Sequence, residues 1–151
     1  MSNASVHTDQ NNPEFDIAYK FLQYTNINIF LTGKAGTGKT TFLRYVKEHI
    51  KKKMAIVAPT GVAAINAQGT TIHSMFQLHF GLYIPDYPNA QDGVINRFQL
   101  LKRTKLNSNK RLLLKELELL IIDEVSMARA DIIDAIDDIL KHVRKNTQPF
   151  G

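Results

Sequence analysis

The chain has 151 residues, no cysteine, 44% hydrophobic residues and a formal net charge of +5. A chain of this length buries a real core as one domain, and the missing cysteines exclude a disulfide framework or a thiolate metal site and fit a reducing cytoplasm, the compartment expected. No apolar run approaches the roughly 18 residues of a membrane span, so no membrane partner is expected, while the modest positive charge permits a nucleic-acid partner without requiring one.

Residues 1–12, MSNASVHTDQNN, are polar and aperiodic and lack a secretory apolar region; SNA at 2–4 resembles a tag remnant, and a disordered tail is expected. Phe15, Ala18, Phe21 and Leu22 then recur at helical spacing and predict a helix over 13–24. INIFLT at 27–32 is a short apolar run before glycines and reads as a buried strand. From 39 to about 52 the pattern is helical, with Phe42, Leu43, Val46 and Ile50 on one face. MAIVA at 54–58 predicts a second strand, and Pro59 and Gly61 separate it from a short helix in VAAINAQ. The stretch 71–80 suggests a helical turn, and 81–93, rich in Pro, Gly and Asn, a loop. Helical stretches follow around 94–103 and, with basic character, 108–116. LELLII at 117–122 predicts a third strand, and 129–145 an amphipathic helix with Ile132, Ile133, Ile136, Ile139, Leu140 and Val143 on one side. Strands alternating with helices, and strands that are continuously apolar, imply an α/β fold with a parallel sheet covered on both faces.

GKAGTGKT at 33–40 matches the phosphate-binding loop G-x-x-x-x-G-K-[ST] in the expected place, after a predicted strand and opening a helix. Gly33, Gly36 and Gly38 let the backbone wrap closely around phosphates, whose charge main-chain N–H groups and the helix N-terminus then face. Lys39 is placed to reach the β- and γ-phosphates of ATP, and the Thr40 hydroxyl to ligate Mg²⁺. The strand at 119–122 runs into Asp123 and Glu124. In a parallel sheet the strand C-termini open onto one crevice, so Asp123 is expected beside the Mg²⁺ of Thr40. Glu124 is then free to polarise a water for attack on the γ-phosphate, which favours hydrolysis over transfer to a small molecule. No guanine-reading N-K-x-D occurs in the chain.

APTGVAAINAQGTTIHSMF at 58–76 admits two accounts. Ala63, Ala64 and Ala67 make a slim surface for packing on the sheet. Thr60, Gly61, Thr70, Thr71, His73 and Ser74, small or donor-bearing groups near element ends, suit contacts to nucleic-acid phosphates. The basic run at 102–111 is either a solvated face or a DNA contact. Phe80, Tyr83 and Tyr87 either anchor their loop or stack on bases. Five histidines without metal-ligand spacing give no reason to expect zinc.

Together FLTGKAGTGKTTFL, APTGVAAINAQGTTIHSMF and LLIIDEVSM resemble the petite-integration-frequency (Pif-type) helicases of superfamily one, over about residues 15–151 and in the same order; the middle motif is the most specific. The resemblance implies a RecA-like P-loop NTPase fold, with 13–151 as the N-terminal part of the first motor domain. It also implies an ATP-driven helicase that moves 5′-to-3′ on single-stranded DNA in genome maintenance: repair, recombination and telomere upkeep. Carried over by motif, Gly36, Thr37, Gly38, Lys39, Thr40 and Thr41 bind nucleotide, Thr40 and Asp123 hold Mg²⁺, and Lys39 and Glu124 serve catalysis. Thr60, Gly61, Thr71 and His73 lie in segments lining the single-strand path.

The family usually carries an adenine-reading glutamine upstream of the phosphate loop; here Gln10, Asn12 and Pro13 stand in that region. It also continues beyond the strand-end carboxylates with a further strand and a second motor domain that supplies an arginine finger. QPFG at 148–151 resembles the start of that continuation, so the chain is expected to stop inside a larger motor, with an open sheet edge and turnover barely above background. A P-loop ATPase of another class, clamp-loader-like or recombinase, and a nucleotide-gated DNA-binding module without unwinding stand as alternatives.

Overall fold

The computed structural model describes residues 13–34, 36–88 and 93–151. The tail at 1–12, with Gln10 and Asn12, and Ala35 of the phosphate loop lie outside the described residues. The chain divides into two compact units, residues 1–52 and 53–151.

In the first unit, α1 (Pro13–Tyr24) forms as its periodicity predicts, opening on a proline that needs no N–H partner in the first turn. The second helix, α2 (Lys39–His49), offers it an aromatic face. Phe15 packs edge-on against Phe42 at 4.8 Å and against Tyr45 at 5.1 Å, and Tyr19 meets Tyr45 at 5.3 Å. The predicted extension of this helix to 52 does not occur. Ile50 turns extended (φ −88°, ψ 123°) while its N–H still bonds the Val46 carbonyl, which buries its side chain.

The predicted strand at 27–32 is absent: these residues form no regular structure, and Ile27, Ile29, Phe30 and Leu31 are exposed. A helix makes its hydrogen bonds within its own segment. A parallel strand has none of its own and exists only beside a neighbour. Among the described residues no strand pairs with 27–32.

The second unit is built on a three-stranded parallel sheet in the order β2-β1-β5: β2 (Thr70–Thr71), β1 (Met54–Ala58) and β5 (Leu119–Ile122). Val57 stands opposite Thr70 on one side and Ile122 on the other. Successive residues of β1 feed opposite faces. Val57 joins a core with Ile72, Phe76, Leu114, Ile136, Ile139 and Leu140, whereas Ala58 packs with Ala63 and Ala64. Those alanines belong to α3 (Gly61–Asn66), the short crossover between β1 and β2, and their small side chains bring it close to the sheet. The larger core is closed by α4 (Ile72–Phe76), α5 (Arg97–Arg103), α6 (Ser108–Glu116) and α7 (Ala130–Arg144), all in predicted positions to within a few residues. The expected α/β fold, a parallel sheet with helices on both faces, is thus present, although the strand before the phosphate loop does not contribute.

Asn96 and Asn107 start α5 and α6 as N-caps, their side-chain oxygens accepting from the Gln99 and Lys110 N–H groups at 3.0 and 2.8 Å. β3 (Leu82–Tyr83), within the predicted loop at 81–93, pairs in parallel with β4 (Val94–Ile95), which takes the first residues of the stretch expected to be helical; residues 89–92 lie outside the described set. Residues 146–151 fold back on α7, where the Phe150 N–H donates to Asp137 Oδ1 at 2.6 Å.

Candidate functional site

The phosphate loop belongs to the first unit. Gly36 and Gly38 take left-handed backbone angles, φ +79° and +91°, which side-chain-bearing residues adopt only under strain. Gly33 is crowded rather than strained. A Cβ there would sit 2.6 Å from Thr37 Oγ1, whose hydroxyl donates to the Lys34 carbonyl at 2.8 Å and closes the loop. Lys39 Nζ donates to the Gly33 and Lys34 carbonyls at 2.6 and 2.9 Å, which holds its ammonium over the loop. Gly38 caps α2 without any side-chain acceptor, and the first N–H bonded back along the helix is that of Phe42. The N–H groups of Lys39, Thr40 and Thr41 therefore have no intrahelical acceptor, at the positive end of the helix dipole. Residues 36–41 are all exposed. Glycines that permit close approach, three helix-end donors and an ammonium make a donor set suited to a polyphosphate.

The acidic pair belongs to the second unit. The Asp123 N–H donates to the Val57 carbonyl at 2.9 Å, so the ladder between β1 and β5 runs one residue past the strand and fixes the Asp123 backbone. Its Oδ1 accepts the Glu124 N–H at 3.0 Å. Glu124 sits in the left-handed region at φ +51°. For a glutamate that conformation costs about 1–2 kcal/mol, and no residue pattern announces it. The strained step swings the chain into a 3₁₀ turn (Val125–Met127) and leaves the Glu124 carboxylate exposed, beside the half-buried Asp123.

In the middle segment, Thr60 and Thr71 act first as helix caps. The Thr60 hydroxyl accepts the Ala63 N–H and the Thr71 hydroxyl the Ser74 N–H, both at 3.2 Å. Each still has a proton to donate. Gly61 is exposed with open space around it, and His73 is half-buried with the Phe80 ring stacked on it at 5.4 Å. The three aromatics of the following loop separate by role. Tyr83 is buried, and burial, reinforced by the hydrogen bond its hydroxyl donates to Asp138, pushes its pKa up. Tyr87 is half-exposed, and Phe80 is 92% exposed.

A polar clamp missed by sequence reasoning ties this loop to the end of the acidic turn. Arg129, the residue before α7, donates to the Gly81 carbonyl at 2.9 Å and forms a two-point pair with Asp131. The other partner of Asp131 is the Tyr83 N–H, at 2.9 Å. The Arg129 hydrogen bond, opposed by partial burial, holds the Asp131 carboxyl below its usual range. Arg97 braces Asp138 at 3.1 Å from the β4 side. The short spacing R-A-D at 129–131 was the one available signal.

A phosphate loop opening a helix, with a strand-end acidic pair in a parallel α/β unit, defines a P-loop NTPase. The PIF1-like helicase family model matches residues 7–151, and the chain belongs to that family. It is 36% identical over 131 residues to the ATP-dependent DNA helicase PIF1 of Candida albicans, covering 84% of this chain and 13% of that protein. With the ATP-dependent DNA helicase Pif1 of a Psychrobacter species it shares 38% over 130 residues, 84% of this chain and 18% of the relative. A crystal structure of a Bacteroides Pif1 helicase in complex with ADP-AlF3 and ssDNA is similar with a TM-score of 0.78 at 43% identity, covering 93% of this chain and 30% of that one. The chain thus spans less than a fifth of these two curated relatives.

Proposed function

We propose that this chain is the nucleotide-binding part of an ATP-dependent DNA helicase moving 5′-to-3′ along single-stranded DNA. The observation carrying the reading is the donor set of the phosphate loop in a chain of this family. In it Gly36, Thr37, Gly38, Lys39, Thr40 and Thr41 grip the ATP phosphates, with Lys39 facing the β- and γ-oxygens. Thr40 and Asp123 would hold Mg²⁺, which would supply positive charge to offset that of the phosphates. Glu124 is the base that orients and deprotonates water, and its exposed carboxylate beside Asp123 supports that role. Thr60, Gly61, Thr71 and His73 contribute to the DNA surface, the threonines through the hydroxyl protons that capping leaves available. The second motor domain implied by the family resemblance is the proposed source of the arginine finger.

Calorimetry with Mg·ATP tests the nucleotide site. Lys39→Ala removes a charge-assisted donor and should weaken binding by about tenfold or more, with the fold intact by circular dichroism. Unchanged affinity in the folded variant would remove Lys39 from the site. In the complete helicase, Glu124→Gln should retain ATP binding and lose turnover; wild-type turnover would show that another group is the base.

A further inference from the structure

The surface beside His73 carries more than the residues placed there so far. A cavity of ≈ 280 Å³ is lined by His73, Gln77, Leu78, His79, Arg103 and Lys105. No carboxylate is among them, and among the described residues neither Arg103 nor Lys105 has an acidic partner. Both are exposed, at the C-terminal end of α5 and just beyond it. The Phe80 ring lies near-parallel to that of His73, at 5.4 Å and 26°, and at 92% exposure is largely open to solvent. The chain therefore presents an exposed aromatic ring resting against His73, and His73 also borders a cavity whose two cations have no acidic partner among the described residues.

We propose that this is a subsite for single-stranded DNA in which one base stacks on the exposed ring of Phe80 while neighbouring phosphates pair with Arg103 and Lys105. The chemistry selects a single strand, because the bases of a duplex already use their faces on one another. Stacking is indifferent to base identity, and phosphate pairing carries no sequence information, so the subsite suits a motor that must pass any sequence. The inference rests on the DNA-binding reading of the middle segment and extends that surface from α4 across to α5.

The test uses this chain and a fluorescein-labelled oligothymidylate, with anisotropy read across a salt series. Each single-strand phosphate neutralised contributes about 0.7 to the slope of log affinity against log salt. Replacing both Arg103→Ala and Lys105→Ala should therefore make the slope shallower by roughly 1.4. Phe80→Ala should weaken binding by about 5- to 150-fold, the range of measured base–aromatic stacking, with the slope unchanged. Phe80→Trp should restore affinity, and because the wild-type chain has no tryptophan, its emission reports directly on stacking when DNA is added. ATP affinity should be unchanged throughout. An unaltered salt slope in the double variant, or wild-type affinity in Phe80→Ala, would overturn the subsite while leaving the broader DNA reading intact. No affinity of the wild-type chain for the oligonucleotide would overturn that reading and the subsite together.

Discussion

A methyl group at Gly69 would lie 2.3 Å from the Ile56 carbonyl oxygen, inside backbone that cannot yield without moving β1. Gly61 has nothing within 4 Å of the same position. Gly69→Ala should therefore cost about 1–3 kcal/mol of stability, and Gly61→Ala less than about 0.5, measured by urea unfolding of the two variants in parallel. Equal effects would mean that the turn after α3 relaxes away from the sheet. In the sequence these glycines look alike. Gly33, Gly36 and Gly38 were legible because a spaced motif announces them, whereas the demand on Gly69 comes from a strand 13 positions earlier. The strained Glu124 backbone was invisible for the same reason: it follows from how the chain leaves β5, not from its own residue type. Thr60 and Thr71 were legible as functional candidates, but the simplest cue, a threonine directly before a helix, also names them as caps.

Asp131 joins α7 to β3, accepting from Arg129 at one end of the clamp and from the Tyr83 N–H at the other. Its carboxyl titrates lower in the folded chain than in the unfolded one. The stabilisation from this carboxylate is therefore complete above the ordinary aspartate value of about 3.9 and disappears as pH falls through the depressed folded value. Asp131→Asn should lower the urea midpoint at pH 7, and the gap to wild type should narrow once the pH is taken below the ordinary aspartate value of about 3.9. A gap of the same size above and below that value would assign the effect to packing of the side chain instead of its charge. Elements such as α1 and α7 were readable because helical periodicity and helical hydrogen bonds lie in the same few residues. Two-residue strands, β2, β3 and β4, are too short to show any period, and each is defined by a partner elsewhere. The segment 27–32 is the inverse case, with a strand's composition and no partner among the described residues.

On the scale of the whole chain, the two compact units divide the candidate chemistry between them. Residues 33–41 lie in the first, and Asp123, Glu124 and the His73 surface in the second. The class of fold and the family were legible from three motifs in order, which needs no knowledge of tertiary contacts. The arrangement of charge on the surface was not: the basic run at 102–111 looked uniform, but its members differ in use. Lys110 Nζ is engaged by the Ser74 carbonyl at 2.6 Å, Lys102 lies 5.8 Å over the Phe98 ring, and Arg103 and Lys105 border the cavity. The apolar, irregular stretch at 26–32 has a consequence of another kind. To a protease or a holdase chaperone it is an open substrate, since binding in either requires an accessible backbone and apolar side chains, and here neither has to be exposed by unfolding. Brief digestion with a protease that cuts at apolar residues should nick the chain within 26–32 before any site between 53 and 88. A first cut inside β1 or α4 would show that the stretch is shielded. In a cell the same stretch would make the lifetime of this polypeptide depend on how soon those seven residues are covered.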